Sequence, residues 1–267
     1  NVGGPASSFG LWHVYLDDSL MLAGSLGCTI ERIHTHIGSG SDPEVWKKVA
    51  VMSLDIVARC GDVTTLNLGG GHKVARMEDE VATDLQEVGS PVRDAFIAFA
   101  QETGRELHLE VEPGTCLVAN AGALLARVQD TVDTGDDGYR FLRSDTGMTE
   151  ILRPSLYGAQ HPIQLIPQTE RAEEPGGPTV IVGHCCESGD LLTPAPGDPE
   201  GLQPRDLAGA RIGDLLLISG TGAYCSSMAT GNYNSFPLCA EVMTSADRAT
   251  RLIRKRQSLD QILANEC

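Results

Sequence analysis

The stretch VTTLNLGGG, residues 63–71, decides the fold. Its first six residues are mainly β-branched or aliphatic and predict a strand, which runs directly into Gly69, Gly70 and Gly71. Glycines allow backbone N–H groups to approach an anion closely, so this loop is a candidate phosphate site. The alternative is a tight strand-to-helix turn with no ligand.

Two further predicted strands end in the same way. Residues 29–34 run into a Gly/Ser loop at 36–40, and residues 107–111 alternate before Glu112. Helical patterns over residues 41–60 and 90–104 separate the three strands. Strand–loop–helix repeats with short links predict parallel strands, and α/β barrels place their active sites at the C-terminal ends of such strands.

The helix predicted over residues 41–60 has clear start signals. Ser41 and Glu44 have the spacing of a capping box, and Pro43 suits a first helical turn. Four apolar residues at spacings of four, three and four predict its buried stripe. They are Val45, Val49, Met52 and Ile56.

The pattern changes after about residue 120. Short aliphatic runs separated by turn residues predict a mainly β domain. Residues 194–204 are rich in Pro and Gly and predict a loop, and residues 252–264 predict a short terminal helix. We therefore expect an α/β protein: part of a (β/α)8 barrel over residues 1–120, then a mainly β domain over residues 121–267.

Composition excludes several classes of function. The chain of 267 residues carries a net charge of −16, which argues against a nucleic-acid partner. No apolar run approaches the roughly 18 residues of a membrane span, so no membrane partner is expected. The eight cysteines are scattered, which favours reduced thiols and a cytoplasmic location.

Two histidines raise a metal hypothesis. His34 and His36 have a spacing that also serves metal sites, but His72 and His108 complete no ligand pattern. No metal is expected. For His34, a buried core histidine is the structural alternative.

Seven short motifs occur in one order along the chain. They are HIGSG (36–40), GGG (69–71), EPG (112–114), RPSLY (153–157), CESGD (186–190), GAY (222–224) and YN (233–234). This order resembles that of the fold-type III, pyridoxal-phosphate-dependent decarboxylases of the alanine-racemase/ornithine-decarboxylase superfamily. The set is most similar to the diaminopimelate decarboxylase family, and the resemblance covers essentially the whole chain.

The resemblance implies a cradle for pyridoxal 5'-phosphate. It assigns His36 to stacking on the pyridine ring and Glu112 to pairing with the pyridine nitrogen. It assigns the phosphate to Ser39, the glycine backbone at 69–71, Gly114 and Tyr224.

The resemblance also implies a reaction and a substrate. It makes the whole protein a homodimer in which Cys186 reaches the partner subunit's site and helps to protonate the carbanion. Glu187 would bind the distal amino group of meso-diaminopimelate, and Arg153 and Tyr157 its distal carboxylate. A buried Arg without a carboxylate would be costly, which favours a substrate with an acid at each end over ornithine.

Two departures from the family pattern keep alternatives open. Thr115 stands where many relatives have an Arg, so a decarboxylase of another amino acid or of carboxynorspermidine is an alternative. The Schiff-base lysine is missing, because Lys47, Lys48, Lys73 and Lys255 do not match its position. We therefore expect this chain to be an N-terminally truncated piece, inactive alone, with a non-catalytic binding protein as the further alternative.

Overall fold

Three short parallel strands form the first sheet of the computed structural model, which describes residues 5–36, 38–171 and 176–267. They are β1 (Arg32–His34), β2 (Thr65–Asn67) and β3 (His108–Glu110), in the spatial order β1-β2-β3. In register, His34 lies opposite Asn67, and Asn67 opposite Glu110. The C-terminal ends of all three strands therefore lie at one edge of the sheet.

Helices α1 (Leu16–Ser25), α2 (Pro43–Ala58) and α3 (Leu85–Thr103) alternate with these strands. The predicted cap of α2 is wrong by one residue, because the side chain of Asp42 accepts the hydrogen bond from the amide of Glu44. The predicted start of α3 at residue 90 is also wrong. Asp84 caps the helix by accepting from two amides of the first turn, so α3 begins five residues earlier and contains Pro91.

The buried face of α2 differs from the predicted stripe. Trp46, Ala50 and Val57 are at most 2% exposed, whereas Val45 and Met52 are 42% and 56% exposed. The helix has apolar residues on both sides, and the side that buries the large indole packs inward because it removes more apolar area from water.

The rest of the chain is mainly β. Its strands are β4 (Ala123–Asp133), β5 (Arg140–Ser144), β6 (Ile163–Ile166), β7 (Gly176–Val182), β8 (Pro194–Ala195), β9 (Asp198–Leu202), β10 (Arg205–Ala208), β11 (Leu215–Ser219), β12 (Glu241–Thr244) and β13 (Thr250–Arg254). The principal sheet has six strands in the order β10-β7-β5-β4-β11-β6, and β8-β9 and β12-β13 form two separate two-stranded sheets. The short helices are α4 (Thr115–Val118), α5 (Arg153–Tyr157) and α6 (Leu259–Ile262).

Two local predictions for this part are wrong. Residues 194–204 contain the β8-β9 hairpin rather than a plain loop, since Gly197 adopts the positive φ of 72° that a tight turn needs. The predicted helix at 252–264 is confined to α6, because β13 pairs with β12 and a capping box at Ser258 starts the helix.

The chain separates into two units, residues 1–117 and 118–267. The first contains the alternating parallel strands and helices, and the second is mainly β, so the predicted fold class is confirmed. Each unit has its own apolar core, centred on Trp46 and Leu66 in the first and on Leu142 and Leu216 in the second. Over the described ranges, no helix is both long and apolar enough to cross a membrane.

Candidate functional site

The edge of the first sheet carries a group of polar side chains. Glu112 follows β3, and its Oε1 accepts a hydrogen bond from Nδ2 of Asn67 at 3.0 Å. Its Oε2 lies 3.5 Å from Nε2 of His34. His34 is half-exposed, so the alternative of a core histidine is wrong. The carboxylate of Glu112 is thus oriented from two sides while half of it stays open to solvent.

The three glycines at the end of β2 have no room for side chains. A Cβ on Gly69 would lie 2.4 Å from Nδ1 of His36, and one on Gly70 would lie 2.4 Å from the carbonyl oxygen of Glu112. A Cβ on Gly71 would lie 1.9 Å from the carbonyl oxygen of Gly38. The close approach of three loops therefore requires glycine at each position.

The loop after β1 is held against the glycine loop. The amide of Gly40 donates to the carbonyl of Gly71 at 3.2 Å, and Nε1 of Trp46 donates to the carbonyl of Gly40 at 3.1 Å. His72 stacks on Trp46 with ring centroids 4.5 Å apart. Ile37 of the HIGSG motif lies outside the described residues. His36 and Ser39 are both exposed beside this junction.

These residues fit the phosphate and the pyridine nitrogen of the expected cofactor. Across the described ranges, the amides of Gly70 and Gly71 donate to no protein acceptor, although both lie in a tightly held loop. Two fixed N–H groups beside an oriented carboxylate can bind an anion and a protonated ring nitrogen. At Gly114, by contrast, an added Cβ would have nothing within 4 Å, so sterics do not require glycine there.

The second unit places Cys186 and Glu187 beside the loop that contains Tyr233. Oδ1 of Asn234 accepts a hydrogen bond from the amide of Cys186 at 3.0 Å, and Tyr233 Oη donates to Oε2 of Glu187 at 3.4 Å. Hydrogen bonds from the amide of Gly189 and from other neighbours lower the pKa of Glu187. The carboxylate is therefore ionised and exposed, as binding of an ammonium group requires.

The neighbouring thiol of Cys185 is less accessible than that of Cys186. Burial, with Asp190 nearby, raises the pKa of Cys185 to about 12. Asp190 is 3% exposed and accepts from the amides of Met148 and Cys185 at 2.7 and 2.8 Å. Its carboxylate leaves no room for a Cβ on Gly147 or Gly183. Asp190 therefore fixes the turn that presents Cys186.

Other expected substrate and cofactor residues lie elsewhere in the second unit. Arg153 begins α5, and its Nε is buried with no hydrogen-bond partner among the residues that the structure describes. Tyr157 ends the same helix and is 52% exposed. Tyr224 is 53% exposed with a positive φ of 56°, an uncommon conformation for a tyrosine.

Three residues of these sites were not predicted from the sequence. Asn67 orients Glu112 and also accepts from the amide of Gly69 at 2.7 Å. A lone Asn inside an aliphatic strand was the available signal. Asp190 belongs to the CESGD motif. Its role as a buried hydrogen-bond acceptor depends on Gly147 and Gly183, which lie outside that motif. His184 gave no signal in the sequence, and its ring stacks on that of Phe236 only in the fold.

Within the described part of the chain, no group of three or more His, Cys, Asp or Glu side chains could hold a metal.

A family model described as "Pyridoxal-dependent decarboxylase, C-terminal sheet domain" matches residues 14–222. The chain belongs to this family. The resemblance drawn from the seven ordered motifs is thereby confirmed, and with it the pyridoxal dependence of the family.

Two curated relatives in the pyridoxal-dependent decarboxylase family are named diaminopimelate decarboxylase. That of Streptomyces coelicolor is 34% identical over 275 residues, covering 100% of this chain and 60% of its own length. That of Escherichia coli K12 is 35% identical over 269 residues, and the match covers 100% of this chain and 63% of the relative. The chain thus spans about three fifths of the length of the relatives it matches.

Solved structures agree with these relatives. A crystal structure of a diaminopimelate decarboxylase is 33% identical with a TM-score of 0.92, covering 100% of this chain and 62% of its own. The Helicobacter pylori enzyme, complexed with L-lysine, is 30% identical with a TM-score of 0.79. The match covers 98% of this chain and 61% of that enzyme's chain.

Proposed function

We propose that the full-length protein decarboxylates meso-diaminopimelate to L-lysine with pyridoxal 5'-phosphate. The observation that carries this proposal is the edge of the first sheet. There, an oriented and open carboxylate, Glu112, lies beside a glycine loop with two amides that have no acceptor among the described residues. The family of the chain supplies the reaction class, and relatives named diaminopimelate decarboxylase support the substrate.

The residues of this edge have separate tasks in the proposed site. Glu112 holds a proton on the pyridine nitrogen, and Asn67 and His34 keep its two oxygens in place. The amides of Gly70 and Gly71, with Ser39, bind the phosphate, and His36 covers the ring. When bound, the cofactor supplies an electron sink for the electron pair that remains on the substrate's α-carbon as CO₂ departs. For Gly114 and Tyr224, phosphate binding is proposed on the resemblance alone.

The second unit supplies the substrate residues of the proposal. Arg153 binds the distal carboxylate, because its buried Nε lacks a protein partner in the described structure and a guanidinium suits a bidentate acid. Tyr157 assists it. Glu187 binds the distal ammonium, and the lowered pKa of Glu187 keeps it charged. Cys186 delivers the proton that replaces CO₂.

The proposal extends to assembly and location. A homodimer with composite sites is proposed from the family resemblance, with Cys186 serving the partner subunit. An amino-acid ligand is supported by the L-lysine bound to the Helicobacter pylori enzyme. Eight free cysteines, several of them exposed, favour the reducing cytoplasm.

The decisive experiment is a substrate panel for the full-length gene product. We expect CO₂ release from meso-diaminopimelate to exceed that from ornithine, arginine and carboxynorspermidine. Arg153→Ala should lower kcat/KM for diaminopimelate by about 30- to 160-fold, since a charged hydrogen-bonded pair contributes about 2–3 kcal/mol. Arg143→Ala is the matched control, because Arg143 forms an exposed ion pair with Asp130.

Thr115 gives the alternative substrate its specific support, because it stands where an Arg is common in relatives. Preferred turnover of ornithine, arginine or carboxynorspermidine would replace the diaminopimelate proposal. No turnover of any of the four, with pyridoxal phosphate bound, would favour a non-catalytic binding protein.

A further inference from the structure

We propose that His184 and Phe236 form a clamp that positions the turn carrying Cys186 and Glu187. The inference rests on the proposed function for the importance of those two residues, but the contacts stand independently of it. The ring centroids of His184 and Phe236 are 3.6 Å apart, and the rings are nearly parallel at 5°. His184 lies two residues before Cys186 in the chain, so the stack fixes the base of the turn.

The clamp joins two loops that already share polar contacts. Phe236 lies two residues after Asn234, whose Oδ1 accepts from the amide of Cys186. Tyr233 of the same loop donates to Glu187. One apolar stack and two hydrogen bonds thus connect residues 184–187 to residues 233–236. Of these three contacts, the stack is the one that solvent water cannot replace directly.

The imidazole of His184 has polar contacts at the edge of its ring. Nε2 of His184 is 2.7 Å from Oγ1 of Thr149 and 3.9 Å from Oε2 of Glu150. Glu150 is itself buried and accepts from Oγ1 of Thr146 at 3.0 Å. The imidazole is therefore fixed at its edge by hydrogen bonding and on its face by Phe236, which is the arrangement of a side chain that positions others.

The loop that carries Phe236 has three residues in the left-handed region of backbone conformation. Asn232, Asn234 and Ser235 adopt φ values of 65°, 48° and 62°. Asn tolerates this region better than most residues, whereas Ser235 adopts it at a cost and persists there because surrounding contacts enforce it. The clamp is one of the contacts that keeps this loop in place.

The clamp has a consequence for thiol reactivity that can be measured without any substrate. Cys186 is exposed, whereas Cys185 is partly buried and burial raises its pKa to about 12. An ordered turn therefore presents one thiol of an adjacent pair and withholds the other. A disordered turn would expose both.

The test is timed alkylation of the full-length protein with iodoacetamide, read by peptide fragmentation. We expect the wild type to label readily at Cys186 and only slowly at Cys185. His184→Ala should raise labelling of Cys185 at least tenfold. Cys225 is 3% exposed in the same unit and reports global opening, so its labelling should stay unchanged. His184→Phe retains a stacking ring and should restore most of the wild-type pattern.

The outcomes separate the clamp from a general stabilising role. Unchanged labelling in His184→Ala overturns the proposal, and so does an equal rise at Cys185 and Cys225. Phe236→Leu, which removes the stack from the other side, must reproduce the effect of His184→Ala. In turnover, His184→Ala should lower kcat for diaminopimelate at least tenfold. If the wild type releases no CO₂, the proposed function fails while the labelling pattern still decides the clamp.

Discussion

Replacing Gly71 by alanine should displace the loop that the proposal assigns to the phosphate. The new Cβ would lie 1.9 Å from the carbonyl oxygen of Gly38, about 1.5 Å short of an ordinary contact of 3.4 Å. The obstacle is backbone, so no side-chain rotation relieves it. The φ of 98° adds a conformational penalty of about 1–2 kcal/mol, and overpacking adds about 1–3 kcal/mol.

The loss should appear in two measurements on the full-length protein. The free energy of unfolding in urea should fall by about 2–5 kcal/mol. The Kd for pyridoxal phosphate, measured by absorbance titration, should rise on the order of 100-fold, because the amides of Gly70 and Gly71 would lose charged hydrogen bonds of about 1.5 kcal/mol each.

The matched control is Gly89→Ala in α3. Gly89 has nothing within 4 Å of a new Cβ and lies inside a helix, so alanine should raise stability by about 0.8–1 kcal/mol. Cofactor affinity should not change. The reasoning about the glycine loop is refuted if Gly71→Ala binds the cofactor within threefold of the wild type and unfolds at the same urea concentration.

Three further predictions concern the interior of each unit. Asn67→Ala should weaken cofactor binding about tenfold, since the carboxylate of Glu112 loses a hydrogen bond of about 1.5 kcal/mol; an unchanged Kd by absorbance titration would contradict this. Arg105→Ala should lower the free energy of unfolding by about 2–3 kcal/mol in urea, because its guanidinium donates to three backbone carbonyls that end α2 and precede β2. Arg171→Ala should cost about 3–5 kcal/mol, because it leaves the buried carboxylate of Asp214 without its ion pair. Burial alone would raise the pKa of Asp214, but hydrogen bonds from Arg171 and from backbone amides lower it, so this stability is present above about pH 4 and is lost as pH falls through the folded value. Urea midpoints between pH 6 and pH 2.5 should therefore fall more steeply in the wild type than in Arg171→Ala.

The local predictions succeeded where one short segment contained all the relevant information. Residues 63–71 indicated both the strand and the turn, because a run of β-branched and aliphatic residues meets three glycines. The motif order indicated the family. The predictions failed where two neighbouring residues suited the same structural position equally well. Ser41 and Asp42 are both good caps, and the geometry of the preceding loop selected Asp42.

The buried face of α2 could not be read from periodicity. Both sides of the helix carry apolar residues, and the choice between them depends on which neighbouring surface accepts Trp46. The β12-β13 hairpin was missed for a similar reason. Residues 250–254 contain Leu and Ile that suit either a helix or a strand, and pairing with β12 decided the outcome.

The sequence by itself determined the alternation of parallel strands and helices, the mainly β second part, the family, and the candidate residues His36, Glu112 and Cys186. Those properties depend on residue type and order. Only the tertiary structure decided that Asn67 orients Glu112 and that His184 stacks on Phe236. The physical reason is that such contacts join residues 45 and 52 positions apart in the chain, so they arise from strand register and loop packing, which no short stretch of sequence specifies.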